Sequence, residues 1–270
     1  LTFQQGARTA NASSREPDWP KIVITGASGG LGRALARELS APGVTLVLWG
    51  RDRAKLDTVA QECRAAGAVA HVTVADFADL ESALALMAQA DDSHRFDAAL
   101  FASGIGDTRG AGDRVEDPAL VRRVGQVNFV APSALAAMLG DRMAARGRGT
   151  LVLVGSAAGF HALPFAAAYA ASKAGLARFA DALRLALRGY GVRVTLVSPG
   201  FIDTAAGRQV PGGKPLLMTP EQAARRIVLA ARRGVGHAIF PWPFAVLRLF
   251  DRALPRFLRD RLLMALAPPG

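Results

Sequence analysis

Apolar residues along this chain follow two alternating rhythms. Short, nearly continuous apolar runs occur at 21–25 (KIVIT), 44–50 (VTLVLWG), 69–75, 97–102, 150–155, 192–198 and 237–240. Their length and their Val, Leu and Ile content predict strands buried on both faces. Between them the apolar positions recur at helical spacing, as in Leu31, Leu35 and Leu39. Helices are predicted after residue 30, over 53–66, from about Asp79, over 117–145, from 168 to about 188 and over 220–233. Strand and helix alternate throughout, which predicts an α/β fold: a doubly wound parallel sheet with helices on both faces.

The ends depart from this rhythm. Residues 1–20 are polar and aperiodic and are assigned to a tail outside the fold. Residues 21–243 form the predicted domain, with no internal repeat or linker. Residues 244–270 form an amphipathic extension in which Pro255 predicts a break between two short helices. Segment 205–218 lacks periodicity and is expected to be a loop able to act as a substrate lid.

Composition narrows the function. The chain has 270 residues, 51% of them hydrophobic, enough for one well-cored domain. Its net charge of +11 raises nucleic acid as a partner, but Arg is spread over many segments without aromatic interleaving, which argues against it. Cys63 is the single cysteine, which excludes an intrachain disulfide and suits a reducing, cytoplasmic setting. His71, His94, His161 and His237 lack ligand spacing, so no metal is expected.

The glycines of TGASGGLG follow the first strand and open the first helix. In that setting Gly26, Gly30 and Gly32 let backbone approach a pyrophosphate, and the helix N-terminus supplies free N–H groups. Arg51 ends the second strand, where a basic residue accommodates a ribose 2′-phosphate, so NADP(H) is favoured over NAD(H), with Ser28 and Arg53 in support. Asp76, at the end of the third strand, fits either an adenine contact or a helix N-cap. Ser103-Gly104 closes the fourth strand as a turn under the nucleotide.

Tyr169 and Lys173 are four residues apart, hence on one helix face. A phenol ionises near pH ~10, and a neighbouring ammonium lowers that value toward the range of a general acid/base. Ser156 ends a strand upstream, where its hydroxyl can reach the same substrate oxygen. His161 lies between Ser156 and Tyr169 and reads as substrate-facing or structural. Phe160, Leu163, Phe165 and Phe201 suit an apolar substrate wall or the core.

Together these residues resemble the short-chain dehydrogenase/reductase (SDR) family over about residues 21–240. The resemblance rests on TGASGGLG at 25–32, Asn128, Ser156 with YAASK at 169–173, and SPGFIDT at 198–204. It implies a single Rossmann-type domain with a seven-stranded parallel sheet, and hydride transfer between a nicotinamide nucleotide and a carbonyl/alcohol substrate. It also implies roles. Tyr169 exchanges the proton, Ser156 binds the substrate oxygen, and Lys173 holds the nicotinamide ribose. Asn128 holds a relay water. Pro199, Gly200 and Thr204 flank the nicotinamide, and Gly26, Ser28, Gly30, Leu31 and Gly32 take the phosphate and adenosine end. A homodimer or homotetramer through helices 117–145 and 168–188 is implied as well.

One stretch departs from the family. Phe101-Ala102-Ser103-Gly104 stands where Asn-Asn-Ala-Gly is common, removing two amides that steady the central strand. That loss motivates a second reading, a nucleotide-binding regulatory or scaffold protein with little turnover. The extension 244–270, which mixes Phe, Leu, Trp and Arg, reads as a helix packed on the domain or a partner subunit. It also reads as an interfacial membrane helix or a cover over a lipophilic pocket.

Overall fold

The computed structural model describes residues 18–106, 110, 112–209 and 212–266. Seven strands carry the architecture: β1 (Lys21–Thr25), β2 (Thr45–Gly50), β3 (Val69–Val74), β4 (Ala98–Phe101), β5 (Gly149–Val154), β6 (Val192–Pro199) and β7 (His237–Phe240). They form one parallel sheet in the order β3-β2-β1-β4-β5-β6-β7. Strand order reverses between β1 and β4, where a crevice opens beyond the carboxyl ends of the strands.

Two apolar layers cover the sheet. On one face α1 (Gly30–Leu39), α2 (Arg53–Ala65) and α8 (Pro220–Arg232) bury Leu35, Leu56 and Ile227 against Ile24 and Leu48. On the other, α3 (Leu80–His94), α5 (Ala131–Ala145) and α6 (Ala167–Ala186) bury Met87, Leu139 and Leu176 against Phe101 and Leu151. Inward alternation on both faces explains why the strands read as continuous apolar runs.

The structure corrects the sequence reading in four places. Trp19 was expected in the tail, yet it is buried in the core with the Arg232 guanidinium 5.7 Å above its ring. The Pro20 carbonyl also accepts from the Thr45 N–H, so the fold begins before Lys21. The expectation for residues 1–17 falls outside the described residues. Second, the helix expected over 117–145 is α4 (Pro118–Gly125) and α5 joined by a π turn at Gln126–Val130. Pro132, in the first turn of α5, has no N–H to give the carbonyl four residues back, and the helix widens there. Third, part of the loop expected at 205–218 is helical: α7 (Ala205–Gln209) forms because the Thr204 hydroxyl accepts from the Gly207 N–H at 3.0 Å. Fourth, Asp76 does not cap a helix; its carboxylate accepts from the Ala78 N–H, while Asp79 caps α3.

The extension folds as α9 (Pro243–Ala253) and α10 (Arg256–Leu266), broken at Pro255. The first of these packs on β7 and on the 3-10 turn Ala157–Phe160.

Candidate active site

The glycine turn between β1 and α1 is held by contact with β4. Gly26 has φ +71°, open to glycine at little cost, and a β-carbon there would stand 2.8 Å from the Ser103 backbone. A β-carbon on Gly32 would overlap the Gly26 carbonyl, so the turn closes only with glycine at both positions. The Ser28 hydroxyl rests against Gly50, and exposed Arg51 follows at the end of β2. Arg53 is engaged by Asp57 at 3.0 Å. Thr204 reaches over the start of α1, its methyl close to Gly30. Asp76 is exposed at the rim beyond β3.

The catalytic candidates converge from three elements. Ser156 leaves β5 and caps the 3-10 turn, its hydroxyl accepting from the Ala158 N–H at 3.1 Å. That turn lies directly on α6: a β-carbon on Gly159 would stand 2.8 Å from the Lys173 carbonyl carbon and the Ala174 nitrogen. Gly159 thus lets the turn that bears Ser156 lie directly against α6, a role the sequence reading missed. The start of α6 has no cap of its own; Glu116, 52 residues away, accepts from the Ala168 N–H at 2.8 Å.

Lys173 is buried, and its Nζ donates to the Val154 carbonyl at 3.0 Å, lying 5.8 Å from the centre of the Tyr169 ring. Burial pushes its ammonium down to about 8. The Tyr169 phenol stands above its ordinary value because of burial, while a hydrogen bond with Ser156 pulls the other way. Lys173 was expected to lower the phenol; its Nζ is turned to the Val154 carbonyl, and burial sets the direction of the shift instead.

Asn128 is fully buried in the π turn. Its Oδ1 accepts from the Ile105 N–H and its Nδ2 donates to the Ile105 carbonyl, both at 2.8 Å. It pins the strand behind Gly104 close to Lys173 rather than lining the cavity itself. Phe101, at one of the two positions where the amides are absent, is 1% exposed and packs in the core with residues of α5.

A cavity of about 460 Å³ collects most of these groups. Ser156, Tyr169 and Lys173 line it together with Pro199, Gly200, Phe201 and Thr204 and with Leu31, Ser103 and Gly104. His161 and Leu163 also line it, as does Phe244 of α9, a contribution the sequence reading offered only as a cover. Gly26, Ser28, Gly30, Gly32, Arg51 and Asp76 are not among the cavity's lining; they follow the carboxyl ends of β1, β2 and β3. The buried Ser103 hydroxyl, beside the glycine turn, has no protein hydrogen-bond partner among the described residues. A glycine cradle, a helix N-terminus and an unmatched hydroxyl fit a dinucleotide laid across the switch point.

The short chain dehydrogenase family description matches residues 20–213. An uncharacterized oxidoreductase of Myxococcus xanthus is 36% identical over 250 residues, covering 91% of this chain and 96% of that protein. A putative NAD(P) dependent gluconate 5-dehydrogenase from Beutenbergia cavernae, with bound NADP, is 30% identical. It superposes with a TM-score of 0.72 over 81% of this chain and 93% of that one. A short-chain dehydrogenase from Sphingobium yanoikuyae in complex with NADPH shares the fold, with TM-score 0.76 at 24% identity over 88% of this chain and 97% of that one. The chain belongs to the short chain dehydrogenase family.

Proposed function

We propose that the protein is an NADP(H)-dependent oxidoreductase that interconverts an apolar ketone or aldehyde and its alcohol. The observation that carries this is that Ser156, Tyr169 and Lys173 line one cavity together with Gly200 and Thr204. A nicotinamide nucleotide held along the glycine cradle supplies or accepts the hydride. Tyr169, protonated at neutral pH, donates its proton to the substrate oxygen in reduction and takes it back in oxidation. Ser156 holds that oxygen by a second hydrogen bond. Buried Lys173 provides positive charge behind the phenol, anchored by the Val154 carbonyl. Asn128 acts one layer back by fixing the Ile105 backbone.

Arg51 supports NADP(H): it is exposed at the end of β2, next to the turn that carries Ser28. Phe201 and Phe244, in edge contact at 6.3 Å, support an apolar substrate. Exposed Val121, Val130 and Leu185 near α4–α6 suit contact with another copy of the chain, and exposed Trp242, Leu249 and Phe257 suit a subunit or a membrane surface.

The deciding experiment is NADPH oxidation across a panel of ketones and aldehydes, with Tyr169→Phe as the comparison. Turnover by the parent that is lost in the variant supports the reading. Equal rates in the two would remove Tyr169 from the chemistry, and tight NADP(H) binding without any turnover would favour the regulatory reading.

A further inference from the structure

A second cavity, of about 580 Å³, lies on the outer side of the catalytic helix, between α6 and α10. It borders the first: His161 and Leu163 line both, so the segment between the 3-10 turn and α6 is common to the two spaces. Each alone is within the size range of a small-molecule site.

The walls of the second cavity are specific in kind. On α6, Ala167, Ala171 and Ala174 succeed one another along one face, and their short side chains leave the space open. Across from them α10 contributes Leu263 and Met264. The rim carries Arg259, but its guanidinium donates to Asp260 at 3.0 Å, so the charge is already matched. Walls of Ala, Leu and Met with a neutralised rim accept hydrocarbon and do not select a phosphate or carboxylate.

We propose that the substrate is an elongated aliphatic ketone or alcohol, with its oxygen at Tyr169 and its uncharged tail running past His161 and Leu163 into the cavity beneath α10. This rests on the reading of the Tyr169 cavity as the carbonyl site. A compact ketone fills the inner cavity and leaves the outer one unused. A chain longer than the inner cavity enters the outer one, and each methylene that leaves water tightens binding about fourfold. Helices α9 and α10 are then part of the substrate site, with Phe244 at the inner cavity and Met264 at the outer.

The test is a series of methyl ketones from six to twelve carbons, measured by calorimetric binding to the full chain and by NADPH oxidation in parallel. Affinity is expected to climb with chain length. In Ala171→Phe, and independently in Ala174→Leu, the ratio of long-chain to short-chain affinity is expected to fall roughly tenfold as the outer space is filled. Affinity that stops rising once the inner cavity is full, with turnover of short ketones intact, overturns the proposal and leaves the oxidoreductase reading standing. Length-dependent binding that is abolished in the variants, with no turnover of any ketone, supports the outer site and overturns the hydride-transfer reading instead.

Discussion

The ring of Phe244 lies inside the space that a β-carbon on Gly200 would occupy. Gly200 follows β6 and lines the cavity, and its N–H is already committed to the Phe240 carbonyl at 2.9 Å, so the backbone there cannot yield easily. Gly200→Ala therefore displaces Phe244 and with it the near end of α9. Overpacking of this kind costs about 1–3 kcal/mol. The expected outcome is a lower melting temperature and a raised KM for ketone. Adding Phe244→Ala to Gly200→Ala should recover part of the lost stability, because the overlap is gone. A double-mutant cycle with no coupling would mean the two residues do not meet.

This relationship shows what was legible in the sequence and what was not. The seven strands, the glycine turn and the Tyr169–Lys173 face could be read because each signal is local: apolar runs, a glycine spacing, a helical i,i+4 pair. What joins distant segments could not. Phe244 meets Gly200 across 44 residues, Glu116 caps α6 across 52, and Trp19 reaches the core from beyond the first strand. The π turn at Asn128 was missed although its cause, Pro132, stands in the sequence; a proline in the first turn of α5 reads equally as a helix start. The sign of the Tyr169 shift was missed for another reason. Spacing places a lysine near a phenol, but only the packed structure shows that burial dominates at the phenol, with the buried lysine turned to Val154.

Gly159 gives a second prediction. It holds the turn bearing Ser156 against the backbone of Lys173 and Ala174. Gly159→Ala must push the two apart by several tenths of an ångström, and small misplacements of a reacting constellation cost as much as ~100-fold in rate. The expected result is a fall in kcat of roughly tenfold or more, with NADPH binding little changed. Steady-state kinetics beside a cofactor titration would check it; a fall in cofactor affinity equal to the fall in kcat would contradict the role assigned to Gly159.

His237 makes stability depend on acid. Its Nε2 lies 2.9 Å from the Ser198 hydroxyl, and the Arg248 guanidinium of α9 lies 3.1 Å from its Nδ1. Burial and then Arg248 push its value down to about 4, with Asp181 opposing weakly. The unfolded chain takes up a proton near pH ~6.5 and the folded chain only near 4, so the unfolded state binds more protons between those values. This contribution is therefore present above pH ~6.5 and lost as pH falls toward 4. Thermal melts across that window should show a falling midpoint, and His237→Gln should flatten the slope. An unchanged slope in the variant would place the acid sensitivity elsewhere.

Lys173 sets an alkaline limb on activity. Its buried ammonium titrates at about 8, well below an exposed lysine. Below that value the positive charge is present behind the phenol and toward an anionic cofactor; above it the charge is lost. The pH profile of kcat/KM for NADPH reports groups of the free enzyme and is expected to fall with a midpoint near pH 8. A profile flat to pH ~10 would mean that Lys173 behaves as a solvated lysine.

Arg51 carries the prediction about cofactor choice. It stands exposed where β2 ends, with Ser28 resting on the adjoining Gly50. A guanidinium there pairs with a 2′-phosphate through charge-assisted hydrogen bonds, while a ribose hydroxyl offers it no matching charge. Because such bonds contribute about 1.5–3 kcal/mol, Arg51→Ala should raise KM for NADPH by roughly ten- to a hundredfold. KM for NADH should change less than about twofold, since nothing of comparable strength is removed. Arg51 lies away from Tyr169, so kcat at saturating cofactor should hold. Parallel titrations of both nucleotides with one ketone decide the matter: an equal rise in KM for the two would show that Arg51 does not read the 2′-phosphate.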